Sequence, residues 1–201
     1  MVATDEFLSK FSERRSVYTL SGESTISDER LEELVQEVLL AAPSAFNTQS
    51  TRIVVLLSDQ HRKLWDIVHA ALKPFVEGEQ AVVTATKIKG FQRAYATILF
   101  FEDPRPYEPL ASFKIYADKF ESWRDQTNAM HQLLLWTAIS SEGLGGNLQH
   151  YNPLVDDEVK KAWSIDADWK LLSQLVIGKP VGDPPAPKEK KSVGDRYRII
   201  S

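Results

Sequence analysis

Two hydrophobic rhythms alternate along this chain. Leu31, Leu34, Val35, Val38 and Leu39 recur at helical spacing behind Ser27-Asp28-Glu29, an N-cap followed by acidic residues at the positive end of a helix. Pro43 ends that helix, because the residue before a proline is pushed out of the α region. Ile53-Val54-Val55-Leu56-Leu57 then runs apolar without alternation, which predicts an interior strand. The same reading predicts a short first helix from Asp5 to Arg14, with Phe7 and Phe11 on one face. It predicts further helices through Leu64, Trp65, Ile67, Val68, Ala71 and Leu72, ended near Pro74, and from Glu79 to Tyr95. Ala96 to Phe101 is a second interior strand, closed by Glu102-Asp103-Pro104.

Pro106 and Pro109 interrupt Arg105 to Lys119, and no regular element is predicted there. Phe120 to Glu142 is the longest predicted helix. Met130, Leu133, Leu134, Trp136, Thr137, Ala138 and Ile139 make it nearly apolar all round, so it is buried in the domain centre or in a subunit interface. Gly143-Leu144-Gly145-Gly146 terminates it. A glycine commonly caps a helix end, but three in four positions implies backbone approaching something closely. Asp156 to Trp163 reads as a short helix and Leu171 to Ile177 as a third strand. Pro184 to Lys191, Pro- and Lys-rich, forms no packed element of its own, and Arg196 to Ile200 alternates like an added edge strand. With no repeat and no interdomain linker, residues 1–201 read as one domain.

Composition narrows the class. The chain of 201 residues is 43% hydrophobic and 26% charged, the profile of a globular domain with a real core. A net charge of −4 gives no general attraction for nucleic acid or an acidic membrane. No apolar run approaches the roughly 20 residues that span a bilayer. Met1 to Glu6 lacks the basic-then-apolar pattern of a secretory signal, so a cytoplasmic location is expected. Zero cysteines exclude disulfides, thiolate metal sites and cysteine nucleophiles, and His61, His69, His131 and His150 show no metal-ligand spacing.

Candidate chemistry concentrates in four places. Between the second helix and the first strand, Ser44, Asn47, Thr48, Gln49 and Ser50 surround Phe46 with groups that both donate and accept hydrogen bonds. A flat heterocycle with alternating donors and acceptors needs such a set; a polar loop bonding its own backbone also accounts for it. Arg14-Arg15-Ser16 makes a compact anion clamp, since guanidinium forks match phosphate oxygens, although an arginine pair is also an ordinary solvated surface feature. The glycine-rich segment through Asn152 and the lysines at 188–191 complete the set.

Together these features resemble the nitroreductase family of flavin mononucleotide enzymes. The likeness is closest to a short branch found in fungi and some bacteria, carried by AFN-Q in the turn and GLG-NLQHYN after the long helix, and it covers nearly the whole chain. The resemblance implies an α+β sandwich, helices around a mainly antiparallel sheet, in an intertwined homodimer whose C-terminal arm, here about residues 184–201, embraces the partner. It also implies an FMN-dependent NAD(P)H oxidoreductase with flavin at the dimer interface. Electrons would pass by ping-pong hydride transfer through flavin N5 to nitroaromatic or quinone acceptors, with no nucleic-acid or membrane partner.

Carried over by residue, Arg14 and Ser16 hold the ribityl phosphate, Arg15 adds charge or backbone, and Lys188 and Lys190 complete that site. Pro43, Ser44, Ala45, Phe46 and Asn47 face the flavin ring from the partner subunit, with Gln49 supporting the turn. Leu148, Gln149 and His150 lie beside the ring, and His150 is a minor proton-donor candidate because its ordinary pKa is close to neutrality. Tyr18 stands where many relatives carry a lysine, which leaves Lys87, Lys89 or Arg52 to stabilise the flavin N1/O2 edge. Phe75, Phe113, Phe120 and Trp123 are lid candidates. Two other readings share the pattern: a flavin-binding regulatory or stress-response protein with little turnover, and a flavin-free helical interaction protein.

Overall fold

The computed structural model describes residues 2–200. In chain order the elements are α1 (Ala3–Glu13), β1 (Leu20–Ser21), α2 (Asp28–Ala41), β2 (Thr51–Leu57), α3 (Ser58–Leu72), α4 (Gly78–Gln92), β3 (Ala96–Glu102), α5 (Phe120–Ser141), β4 (Gly145–Gln149), α6 (Asp156–Ala162) and β5 (Lys170–Pro180). Strand β5 is the spine of the sheet. It pairs antiparallel with β3, with β4 and, at its C-terminal end, with β1, while β2 pairs antiparallel with β3. A parallel bridge between Ser16 and Gly146 fastens the segment before β1 to β4.

Helices cover both faces. Ala96, Ile98 and Phe100 of β3 point to α2 and α5, where they meet Leu31, Leu34, Val35, Val38, Leu135 and Ile139. The alternate residues Leu99 and Phe101 meet Leu64, Trp65 and Val68 of α3, Ile88 and Phe91 of α4, and Val159 of α6. Each such side chain taken fully out of water contributes about 1.5–3 kcal/mol, and every residue of β3 is buried. The architecture is therefore the expected α+β sandwich.

Helix α2 carries the expected cap, with the Ser27 hydroxyl accepting from the Arg30 amide at 3.2 Å. Strand β3 is interior as read. Strand β2 is not: among the described residues it pairs with β3 alone and forms a sheet edge. Its apolar run reports that helices cover both faces, not that both edges are paired. The glycine-rich segment after α5 forms β4, which the hydrophobic pattern missed because glycines carry no pattern. The approach they permit is real: a Cβ on Gly145 would lie 2.8 Å from Leu20 Cδ2 and 3.1 Å from Val17 Cβ. Residues 105–119 become two 3-10 stretches, Arg105–Ser112 and Lys114–Lys119, leading into α5. Arg196 to Ile200 is not a strand in the single chain. It follows a 3-10 turn at Gly194–Arg196, pairs with no strand among the described residues, and leaves Ile199 and Ile200 86% and 93% exposed.

Candidate functional site

The clamp at the end of α1 is held by the sheet. The Val17 amide donates to Gly146 O at 2.9 Å, and the buried Asn147 side chain donates to Val17 O at 2.8 Å. These bonds fix Arg14-Arg15-Ser16 beside β4. Arg15 reaches across to the C-terminal segment, its Nη2 donating to Ala186 O at 2.7 Å. That bond delivers the tail to the clamp: Arg14, Arg15, Ser16, Lys188 and Lys190 line one cavity of about 440 Å³ together with Phe11, Ser12 and Pro187.

Four cations and two hydroxyls line this space, and no carboxylate is among its described lining residues. The Arg14 guanidinium sits 4.2 Å from the centre of the Trp136 ring, and its Nε is buried without a hydrogen-bond partner. Burial, and then the adjacent Arg15 charge, lower the Arg14 pKa from its ordinary value. A phosphate dianion fits such a set, because it supplies an acceptor for the buried Arg14 Nε and relieves the repulsion between like charges.

The turn after α2 shapes a second cavity, of about 420 Å³, lined by Pro43, Ser44, Ala45 and Phe46 with Trp123, Gln126, Thr127 and Met130 of α5. Phe46, Asn47 and Gln49 all adopt positive φ angles, of 54°, 55° and 49°. Non-glycine residues in that region cost of order 1–3 kcal/mol each, so the surroundings must hold the turn in shape. Part of the hold is internal, as the polar-loop reading has it: the Gln49 amide donates to Ser44 Oγ at 2.9 Å. Part comes from aromatics, since Phe46 lies 6.0 Å from Phe113, 5.8 Å from Trp123 and 6.4 Å from Tyr116 between ring centres. Phe120 joins this cluster through Trp123 at 5.8 Å, whereas Phe75 is exposed in the turn after α3.

Leu148 and Gln149 end β4, with Gln149 buried and its amide donating to Asn147 Oδ1 at 2.9 Å. His150 follows as an exposed residue, and Tyr18 is also exposed. Of the three cations considered for the N1/O2 edge, Arg52 is already engaged: it donates to Gln49 O at 2.8 Å and Thr51 O at 3.1 Å, and pairs with Asp103 at 3.0 Å. Lys87 and Lys89 are exposed on α4, Lys87 lying 5.6 Å from the centre of the Phe91 ring.

Several buried polar residues bonded to the turn, or to the strand that leaves it, are not among the site residues the sequence singles out. Glu102 and Asp103 end β3, 2% and 3% exposed. The Ser50 and Thr51 hydroxyls and the Asn128 amide donate to Glu102. Asp103 is gripped by Arg52 and Arg105, and its bonds from Arg105 hold its carboxyl below the usual value against the effect of burial. Thr127, Asn128 and His131 form a buried polar patch on α5. The available signals were the two adjacent carboxylates closing an apolar strand and the polar residues interrupting an apolar helix.

The nitroreductase family profile matches residues 11–179. The chain belongs to the nitroreductase family. Among relatives of this nitroreductase, FRM2 of Saccharomyces cerevisiae is 32% identical over 204 residues, covering 99% of both chains. Among solved structures, the nitroreductase CinD from Lactococcus lactis in complex with nicotinic acid is 37% identical and superposes with a TM-score of 0.88 over 97% of this chain and 100% of that one. CinD in complex with 4-nitrophenol is 36% identical, with a TM-score of 0.86 over the same shares. Family membership makes the protein an oxidoreductase of the nitroreductase type.

Proposed function

We propose that this nitroreductase is an FMN-dependent NAD(P)H oxidoreductase, active as a homodimer, that reduces nitroaromatic or quinone-type acceptors. One observation carries the reading: cationic residues from both ends of the chain, Arg14 and Arg15 with Lys188 and Lys190, line a single cavity. Arg14, Ser16 and Lys190 would donate to the ribityl phosphate, with Lys188 beside them. Arg15 would serve mainly as the tether of the tail, given its bond to Ala186 O. Leu148, Gln149 and His150, at the end of the strand that carries the clamp, would flank the ring.

Pro43, Ser44, Ala45, Phe46, Asn47 and Gln49 would reach the ring from a second copy. In one chain the turn cavity and the clamp cavity share no lining residue, which supports that division. Met130 and Leu133 are 41% and 46% exposed on α5 beside the turn cavity, and Ile199 and Ile200 are open at the tail; apolar surface of this kind favours burial against a partner. FMN, when bound, supplies two-electron exchange at N5 with NADH or NADPH and then with the acceptor in a shared slot, which predicts ping-pong kinetics. The residues position and shield that exchange: the aromatic wall of Phe46 and Trp123 suits a flat ring, in keeping with the aromatic compounds bound by CinD.

Purified protein incubated with FMN and desalted should be yellow, and anaerobic NADH or NADPH should bleach it rapidly. Intersecting rather than parallel steady-state lines would refute the shared slot. Replacing Arg14 and Lys190 together by alanine should weaken FMN binding by about 100-fold or more, each charged hydrogen bond contributing about 1.5–3 kcal/mol. A folded double variant with unchanged FMN affinity would overturn the phosphate assignment.

A further inference from the structure

We propose that Glu102 is the positioning residue of the left-handed turn Phe46–Gln49, setting the surface this turn presents to the flavin ring; the inference rests on the flavin reading above. Glu102 is 2% exposed, and its hydrogen bonds run to neutral partners from two other elements. Ser50 Oγ donates to Oε2 at 2.6 Å, Thr51 Oγ1 donates to Oε1, and Asn128 Nδ2 of α5 donates to Oε1 at 2.9 Å. Ser50 and Thr51 are the two residues that leave the turn.

The same network returns to the entry of the turn. Thr51 Oγ1 has one proton and gives it to Glu102, so toward His131 Nδ1, 3.3 Å away, it can only accept. His131 Nδ1 also lies 2.8 Å from Thr127 O, a pure acceptor, so Nδ1 carries the ring proton. Thr127 Oγ1 in turn receives the Ala45 amide at 3.4 Å. Exit and entry are thereby tied to one carboxylate through α5. The neighbouring Asp103 holds Arg52, which bonds Gln49 O. Two adjacent carboxylates grip the turn from two directions.

Apolar side chains in place of this network would keep β2, β3 and α5 packed, and burying a carboxylate is costly unless its bonds are complete. What the carboxylate adds is direction: short bonds fix Ser50 and Thr51 in angle as well as in distance, and through them a turn with three left-handed residues that would otherwise relax.

The test compares wild type with Glu102→Gln and Asn128→Ala, each titrated with FMN and with riboflavin. Glu102→Gln keeps the length of the side chain but puts an amide where Ser50 Oγ donates, so that hydroxyl must turn from donor to acceptor and a charged acceptor is lost, and it should leave the circular dichroism spectrum native. Because the turn faces the ring and not the phosphate, both ligands should weaken by the same factor, about tenfold, and the visible absorption envelope of the bound flavin should shift. The Arg14/Lys190 double variant should instead lower the FMN-to-riboflavin affinity ratio. Asn128→Ala removes the α5 donor without touching either strand, and should repeat the equal weakening if Glu102→Gln does not fold. Wild-type affinities and an unchanged spectrum in a folded variant would overturn the proposal, as would a changed FMN-to-riboflavin ratio. A wild-type protein that binds neither compound would overturn the flavin reading and this inference with it.

Discussion

The Arg14 guanidinium sits over the Trp136 indole, 4.2 Å from the ring centre, at the edge of the cavity that gathers Lys188 and Lys190. The ring face attracts the cation and fills the space beneath it, so the arginine is held in place before any anion arrives. Replacing Trp136 by leucine should therefore weaken FMN binding by about 2- to 30-fold, the equivalent of about 0.5–2 kcal/mol for a cation–π contact. Trp136→Phe, which retains an aromatic face, should recover most of the loss. Fluorescence titration of FMN against both variants, with melting curves alongside, measures this.

Arg15 bonds the tail through its Nη2 and Ala186 O. Arg15→Ala should release residues 184–191 and speed tryptic cleavage at Lys188, Lys190 and Lys191 several-fold. Saturating FMN should restore protection in the wild type more fully than in the variant. Equal cleavage rates in the absence of FMN would show that the tether contributes nothing.

His61 is 1% exposed, and its hydrogen bonds define its state. Trp65 Nε1 donates to Thr97 Oγ1 at 3.0 Å, leaving the Thr97 proton for His61 Nδ1 at 2.8 Å, while Nε2–H donates to Phe91 O at 3.1 Å. Burial pushes the pKa from 6.5 down to about 4, against carbonyl bonds that favour the charged ring. With the folded pKa below the unfolded one, the unfolded chain takes up the proton first as pH falls. Stability is unaffected above about pH 6.5, declines between about 6.5 and about 4, and is lower by about 3 kcal/mol below that window. Urea unfolding of wild type and His61→Gln across this range should show a shallower pH dependence in the variant.

A side chain would collide at Gly178 and at Gly145, with different atoms in the two cases. A Cβ on Gly178 would lie 2.5 Å from Ser21 O in β1 and 3.1 Å from Tyr95 N just before β3, both backbone atoms. A Cβ on Gly145 would meet Leu20 Cδ2 at 2.8 Å, Pro180 Cγ at 3.0 Å and Val17 Cβ at 3.1 Å. Overpacking of this kind costs about 1–3 kcal/mol. Gly178→Ala should lower the melting temperature more than Gly145→Ala, since side chains yield and backbone does not. Only the Gly145 change should also weaken FMN binding, because Val17 follows the clamp directly.

Much of the candidate site's inventory was legible before the fold. Arg14, Arg15, Ser16, Lys188 and Lys190 stood out by residue type, and the turn from Pro43 to Gln49 by its density of two-way hydrogen-bonding groups. Their convergence was legible only through family resemblance, because the contact between Arg15 and Ala186 joins positions 171 residues apart. Glu102 and Asp103 passed as the close of a strand, since sequence position does not show which hydroxyls and arginines will face a carboxylate. Lys87, Lys89 and Arg52 looked equivalent as cations, and Arg52 separated from the others only when its bonds to Gln49 and Asp103 were in view.

By itself the sequence determined the helices α2, α3 and α5, the fully buried β3 and the core of β5. Their apolar spacing and length are local properties that a single segment carries. Tertiary structure alone decided that β2 lies at an edge, that a glycine-rich stretch becomes β4, and that Arg196 to Ile200 stays unpaired in one chain. Strand pairing is a relation between distant backbones, and glycine, having no side chain, leaves no hydrophobic trace of where it will pair.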